Sequence, residues 1–163
     1  MNRRAFVAQS ALAGAASALP AAAMNESNSP AQAIMQIRVA RPTDKLTEVL
    51  AFYRDGLGLP TIGHFENHDG YSGVMLGSPS DQFHLEFTHT AAGSPCPAPT
   101  RDNLLVFYIS DDAAYAKAVK RMKEHGYQPV QPENPYWRDK SFTFEDPDGW
   151  RTVICHGQAF ANR

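Results

Sequence analysis

Residues 82–89 read Gln82-Phe83-His84-Leu85-Glu86-Phe87-Thr88-His89. Phe83, Leu85, Phe87 and His89 fall on one face of this stretch, and His84, Glu86 and Thr88 on the other. A period of two with large apolar groups on one side predicts a strand that rests one face on a core. The opposite face then carries an imidazole beside a carboxylate. Glu is a poor strand former, so Glu86 needs a reason. Two are open: a rim residue paired with a surface Lys or Arg, or a residue directed into a concave site. His84 has the same two readings, a rim histidine or a polar group of the site able to carry a proton or join a weak metal pair.

Upstream, two further strands are predicted over residues 61–66 and 71–76. They are punctuated by His68-Asp69-Gly70 and Gly77-Ser78-Pro79-Ser80. Before them lies a strand over 34–40. Its Ile37 and Val39 are expected to pack beneath the following helix, which leaves Arg38 on the other face. Pro42-Thr43-Asp44 breaks that strand and offers a cap. Leu46, Val49, Leu50 and Tyr53 then follow helical spacing as far as Gly56. Downstream, the Pro-, Gly- and Ser-rich residues 91–102 read as a linker, and the same order recurs. A strand over 104–109 is followed by a helix starting at Asp111 or Asp112 and ending at Gly126. Strands are then predicted over 128–130, 141–145 and 150–156. The fold class is α+β, with two βαβββ modules (residues 34–89 and 103–157, joined by 90–102) forming a cupped mixed β-sheet. Either module alone would bury too little surface to be stable. The hollow between them is where a small molecule would bind.

Composition narrows the function. The chain has 163 residues, with 15 Lys plus Arg against 17 Asp plus Glu and no basic run, which argues against nucleic acid as a partner. Glycine-rich phosphate loops and the G-x-S-x-G nucleophile turn are absent from the sequence. Cys96 and Cys155 lack metal-ligand spacing; they read as two thiols, with a disulfide open if the protein is exported. Residues 1–23 carry Arg3-Arg4, an Ala-rich run and Leu19-Pro20-Ala21-Ala22-Ala23, the order of a secretory signal. Asn2-Arg3-Arg4-Ala5-Phe6-Val7 is similar to a twin-arginine export signal. The run is too short and too weakly apolar to span a bilayer, so no membrane association is expected of the mature form. Residues 24–33 read as a polar leader. The expected location is the periplasm or the exterior, or the cytoplasm if Met24 is the true start.

Two motifs give a resemblance. Phe52-Tyr53-Arg54-Asp55-Gly56-Leu57-Gly58-Leu59 resembles the F-Y-x-D-x-L-G-L signature of the vicinal oxygen chelate superfamily. Phe144-Glu145-Asp146-Pro147-Asp148-Gly149 resembles its D-P-D-G turn before the last strand. That superfamily comprises glyoxalase I, extradiol dioxygenases, and fosfomycin and bleomycin resistance proteins. The resemblance implies paired βαβββ modules and a divalent metal held from the first and last strands of each. Those positions fall on Arg38 (or Ile37 if the register slips by one), Glu86, Leu104 and Val153, and Glu86 alone can ligate a metal in the usual way. An Arg38–Glu86 ion pair in place of the cation is therefore expected. The leading expectation is a small-molecule-binding cup, or an enzyme of unassigned reaction, presenting Arg38, His84, Glu86, Tyr108 and Trp137 and needing no cofactor. The alternatives are a metal-dependent glyoxalase- or dioxygenase-like enzyme using Glu86 and His84, and a structural, partner-binding module. Pairing of two copies, as among relatives, is open.

Overall fold

The computed structural model describes residues 36–77 and 83–159. The expected export signal and leader lie outside them. The first module holds β1 (Ile37–Pro42), α1 (Leu46–Leu50), β2 (Thr61–His68), β3 (Tyr71–Gly77) and β4 (Phe83–Thr90). The second holds β5 (Leu104–Ile109), α2 (Asp112–Glu124), β6 (Ser141–Glu145) and β7 (Arg151–His156). Strand order is β1-β4-β3-β2 in a four-stranded sheet and β5-β7-β6 in a three-stranded one. In each, the first strand runs parallel to the last and the remaining pairs are antiparallel. The expected α+β architecture of two βαβββ modules is present, with one mixed sheet from each module. Their inner faces share one core, which joins Val49, Phe52, Tyr53, Leu85 and Phe87 to Met122, Phe144 and Ile154. Burial of this kind is what neither half could achieve alone.

Three local expectations are corrected. The stretch over 128–130 is no strand: Val130 makes one bridge to Thr143. Pro129 and Pro132 beside it supply no N–H for a ladder. Ile37 and Val39 do not pack beneath α1; they are 54% and 43% exposed. Strand β1 is the edge of its sheet, and α1 rests on β4 instead. On the other face of β4, His84 and Glu86 are buried along with Leu85 and Phe87. The first helix is not uniform either. After Leu50 it widens into a π-helical stretch over Ala51–Gly56, closed by the Leu57 N–H on the Phe52 carbonyl at 2.8 Å. Its start lacks a side-chain cap. Thr43 Oγ1 accepts from the Lys45 N–H at 2.9 Å, while the Asp44 carboxylate accepts from the Ser94 N–H. Helix α2 begins as expected, with the Asp111 side chain accepting from the Ala114 N–H at 2.7 Å.

The glycine of the first motif has a physical role. Gly58 has φ +90°, and a Cβ there would run into the Arg121 guanidinium. Arg121, on α2, donates to the Gly56 carbonyl at 2.8 Å and to the Leu57 carbonyl. The motif thereby leaves room for an arginine that ties the two helices together. Gly58→Ala is expected to destabilise the protein by more than about 1 kcal/mol, since the unfavourable φ and the lost Arg121 contacts add. Urea denaturation would measure it.

Candidate functional site

Parallel pairing of β1 with β4 sets Arg38 opposite His84 and Ala40 opposite Glu86. All of these point away from α1, whose side of β4 is taken by Leu85 and Phe87. Arg38 Nη1 lies 2.7 Å from Glu86 Oε2. Its Nε donates to His84 Nε2 at 2.8 Å. His84 therefore accepts at Nε2 and carries its proton on Nδ1, an atom that is buried without a partner among the described residues. His84 and Glu86 are only 5% and 8% exposed, whereas the Arg38 side chain is 54% exposed. One carboxylate and one imidazole thus fix a guanidinium from below while its remaining N–H groups stay accessible. Such a fork suits a planar, bidentate anion.

Tyr108 and Trp137 stand elsewhere. Neither hydrogen-bonds or ion-pairs with Arg38, His84 or Glu86. Tyr108 is exposed and lines a cavity of about 550 Å³ together with Val39, Phe83, Leu85 and Phe107. Trp137 ends a 3-10 turn over Pro135–Trp137. It stands edge-on to Tyr136 at 4.8 Å, and its carbonyl accepts from Ser141 Oγ at 2.5 Å. Leu104 lines a second cavity of about 240 Å³, and Val153 is fully buried. Both cysteines are free thiols, and burial pushes the Cys155 thiol pKa up.

Sequence reasoning missed Arg41. It shares the side of β1 that carries Ile37 and Val39, yet it is buried. Arg41 Nη2 lies 2.6 Å from Asp146 Oδ2, and the guanidinium sits 5.1 Å from the ring centroids of Phe87 and Trp150. The Tyr53 hydroxyl donates to the same Asp146 oxygen at 3.0 Å. Asp146 Oδ1 accepts the Asp148 and Trp150 N–H groups, each at 2.9 Å, and so closes the D-P-D-G turn. Burial above all, and then the Asp146 charge, hold the Tyr53 phenol pKa far above its usual value. The two sequence motifs are therefore opposite halves of one contact, with Arg41 between them. The available signal was a charged residue on an apolar strand face.

Known proteins agree with this architecture. Residues 37–88 match the YycE-like N-terminal domain and residues 102–156 the YycE-like C-terminal domain. The uncharacterised protein YycE of Bacillus subtilis is 47% identical over 128 residues, covering 78% of this chain and 92% of that protein. A crystal structure of Bacillus subtilis YycE, a protein of unknown function for which a glyoxalase or fosfomycin resistance role has been suggested, superposes with a TM-score of 0.73. It is 46% identical, covering 80% of this chain and 95% of that one. Trypanothione-dependent glyoxalase I of Leishmania major shares the fold at 20% identity and a TM-score of 0.57, over 76% of this chain and 85% of that one. The fosfomycin resistance protein FosX of Mesorhizobium loti shares it at 11% identity and a TM-score of 0.51, over 74% and 90%. The two-module architecture, the joined motifs and these relatives together place the chain in the YycE-like family of the vicinal oxygen chelate superfamily.

Proposed function

We propose that this protein binds a small carboxylated ligand, with an aromatic or compact apolar body, over Arg38, and that it does so without a bound metal. The observation that carries this reading is the posture of Arg38, which Glu86 and His84 hold from one side while half of its side chain stays open. The donor set does not fit a divalent cation of the superfamily's kind. Of the four positions implied by the resemblance, Leu104 and Val153 have nothing to donate and Arg38 cannot shed its proton. The fourth, Glu86, already faces a guanidinium. His84 Nε2, the other available donor, is occupied by Arg38 Nε–H.

A thermal-shift series tests the reading. Benzoate and salicylate should raise the melting temperature of the wild type and leave Arg38→Ala unmoved. Nickel, zinc, manganese and iron(II) should leave both unchanged. Glu86→Ala should lose about 1 kcal/mol of stability, because the partner of this ion pair is half exposed and solvent screens it. A metal-induced rise that Glu86→Ala abolishes would overturn the proposal in favour of a metal-dependent glyoxalase- or dioxygenase-like enzyme.

A further inference from the structure

β1 and β5 are each an edge strand of their sheet and do not pair with one another. Arg41 and Pro42 line the smaller cavity together with Asn103 and Leu104, while Val39 and Phe83 line the larger one together with Phe107 and Ile109. The two strands thus border a seam from its two sides, with the Phe83 and Phe107 ring centroids 6.3 Å apart across it. The 550 Å³ cavity occupies one end of it and the 240 Å³ cavity the other, and Val39, Leu85 and Leu105 line both. The larger volume lies within the range of ordinary ligand sites. Its wall is apolar along both strands, and Val39, Phe83 and Tyr108 leave large apolar surface open around it. Isolated apolar side chains on a surface are ordinary, but a connected set lining a hollow marks a binding surface.

Among the described residues, the charge at this hollow has one sign: Lys117 and Arg121, both on α2, line the larger cavity, and no described Asp or Glu does. Lys117 makes no ion pair among the described residues. Arg121 donates to the carbonyls of Gly56 and Leu57, which use its hydrogen bonds without cancelling its charge. Arg41, at the far end, is neutralised by Asp146. An occupant therefore meets apolar walls and one cationic mouth.

We infer that the seam between β1 and β5 is a second ligand site, distinct from Arg38, which takes an aliphatic carboxylate with its chain along Val39, Leu85 and Leu105 and its head group at Lys117. The site lies on the side of the first sheet opposite to His84 and Glu86, so it stands or falls independently of the proposed function.

The experiment is calorimetric titration of the full chain with dodecanoate and with dodecyltrimethylammonium, both below their micelle concentrations. Lys117 is exposed on α2, so Lys117→Glu tests the charge without disturbing the core. Dodecanoate should bind the wild type and bind Lys117→Glu at least about tenfold more weakly, the scale of a lost charge-assisted contact. Dodecyltrimethylammonium should bind the variant as well as or better than the wild type. Arg38→Ala should leave dodecanoate affinity unchanged. Equal affinity for wild type and Lys117→Glu would overturn the inference, as would a loss in Arg38→Ala. So would dodecanoate failing to bind a dimer that Val39→Asp converts to a monomer, since a second copy would then cover the seam.

Discussion

Asp146→Ala is expected to lower stability by about 3–5 kcal/mol, because it strips a buried guanidinium of its carboxylate. For a domain of this size that corresponds to roughly 10–20 °C in melting temperature. The side chains of Arg41 and Asp146 are 9% and 0% exposed and stand 2.6 Å apart, so solvent gives little relief. Asp146 also accepts the Tyr53 hydroxyl and two turn amides, and the variant leaves all of these donors without it. Asp146→Asn keeps an acceptor for the turn but not the charge, so it should lie between wild type and Asp146→Ala. Thermal unfolding of the three proteins checks the order. Similar melting points for Asp146→Ala and wild type would mean that the contact between the motifs does not hold the modules together.

Phe52→Ala should cost a similar amount, about 3–5 kcal/mol, through the cavity it opens. Phe52 is fully buried. Its ring meets Tyr53 and Tyr127 edge-on, each at 4.8 Å between centroids. Tyr127 follows α2, so the aromatic group spans both modules and cannot close around a void by moving one side chain. Phe52→Leu retains most of the buried volume and should cost markedly less. Urea denaturation with an unchanged slope would assign both losses to the folded state. Neither substitution touches Arg38, so carboxylate binding by the folded variants should persist.

The neighbourhood of Glu86 shows where reading the sequence stops. The alternation over residues 83–87 was enough to identify a strand and to put His84 and Glu86 on one face. Arg38 was legible as the neighbour of Glu86 only through the resemblance, which implies that the first and last strands of a module bring their site positions together. What alternation could not supply was burial of the polar face, since that depends on what crosses above a strand. Ile37 and Val39 failed for the same kind of reason. Their spacing marks them as sharing one side of a strand but carries no information on whether the strand lies at a sheet edge. Tyr108 drew attention through the strand face it shares with Leu104 and Val106, and Trp137 through its aromatic loop, and neither signal determines which elements meet. Arg41 escaped notice because its partner is 105 positions away.

The sequence by itself determined the α+β class and the repeated order of elements, because periodicity and turn residues act over a few neighbouring positions. The superfamily was legible through the resemblance of its two motifs, and of the metal positions that this resemblance implies, Arg38, Leu104 and Val153 carry side chains that do not ligate in the usual way. Tertiary structure alone decided that Arg41, Tyr53 and Asp146 converge. It also decided that a half-open Arg38 rests on a buried acid and imidazole. These outcomes follow from long-range packing, in which burial and charge pairing are set by segments remote in the chain and no local pattern encodes the meeting.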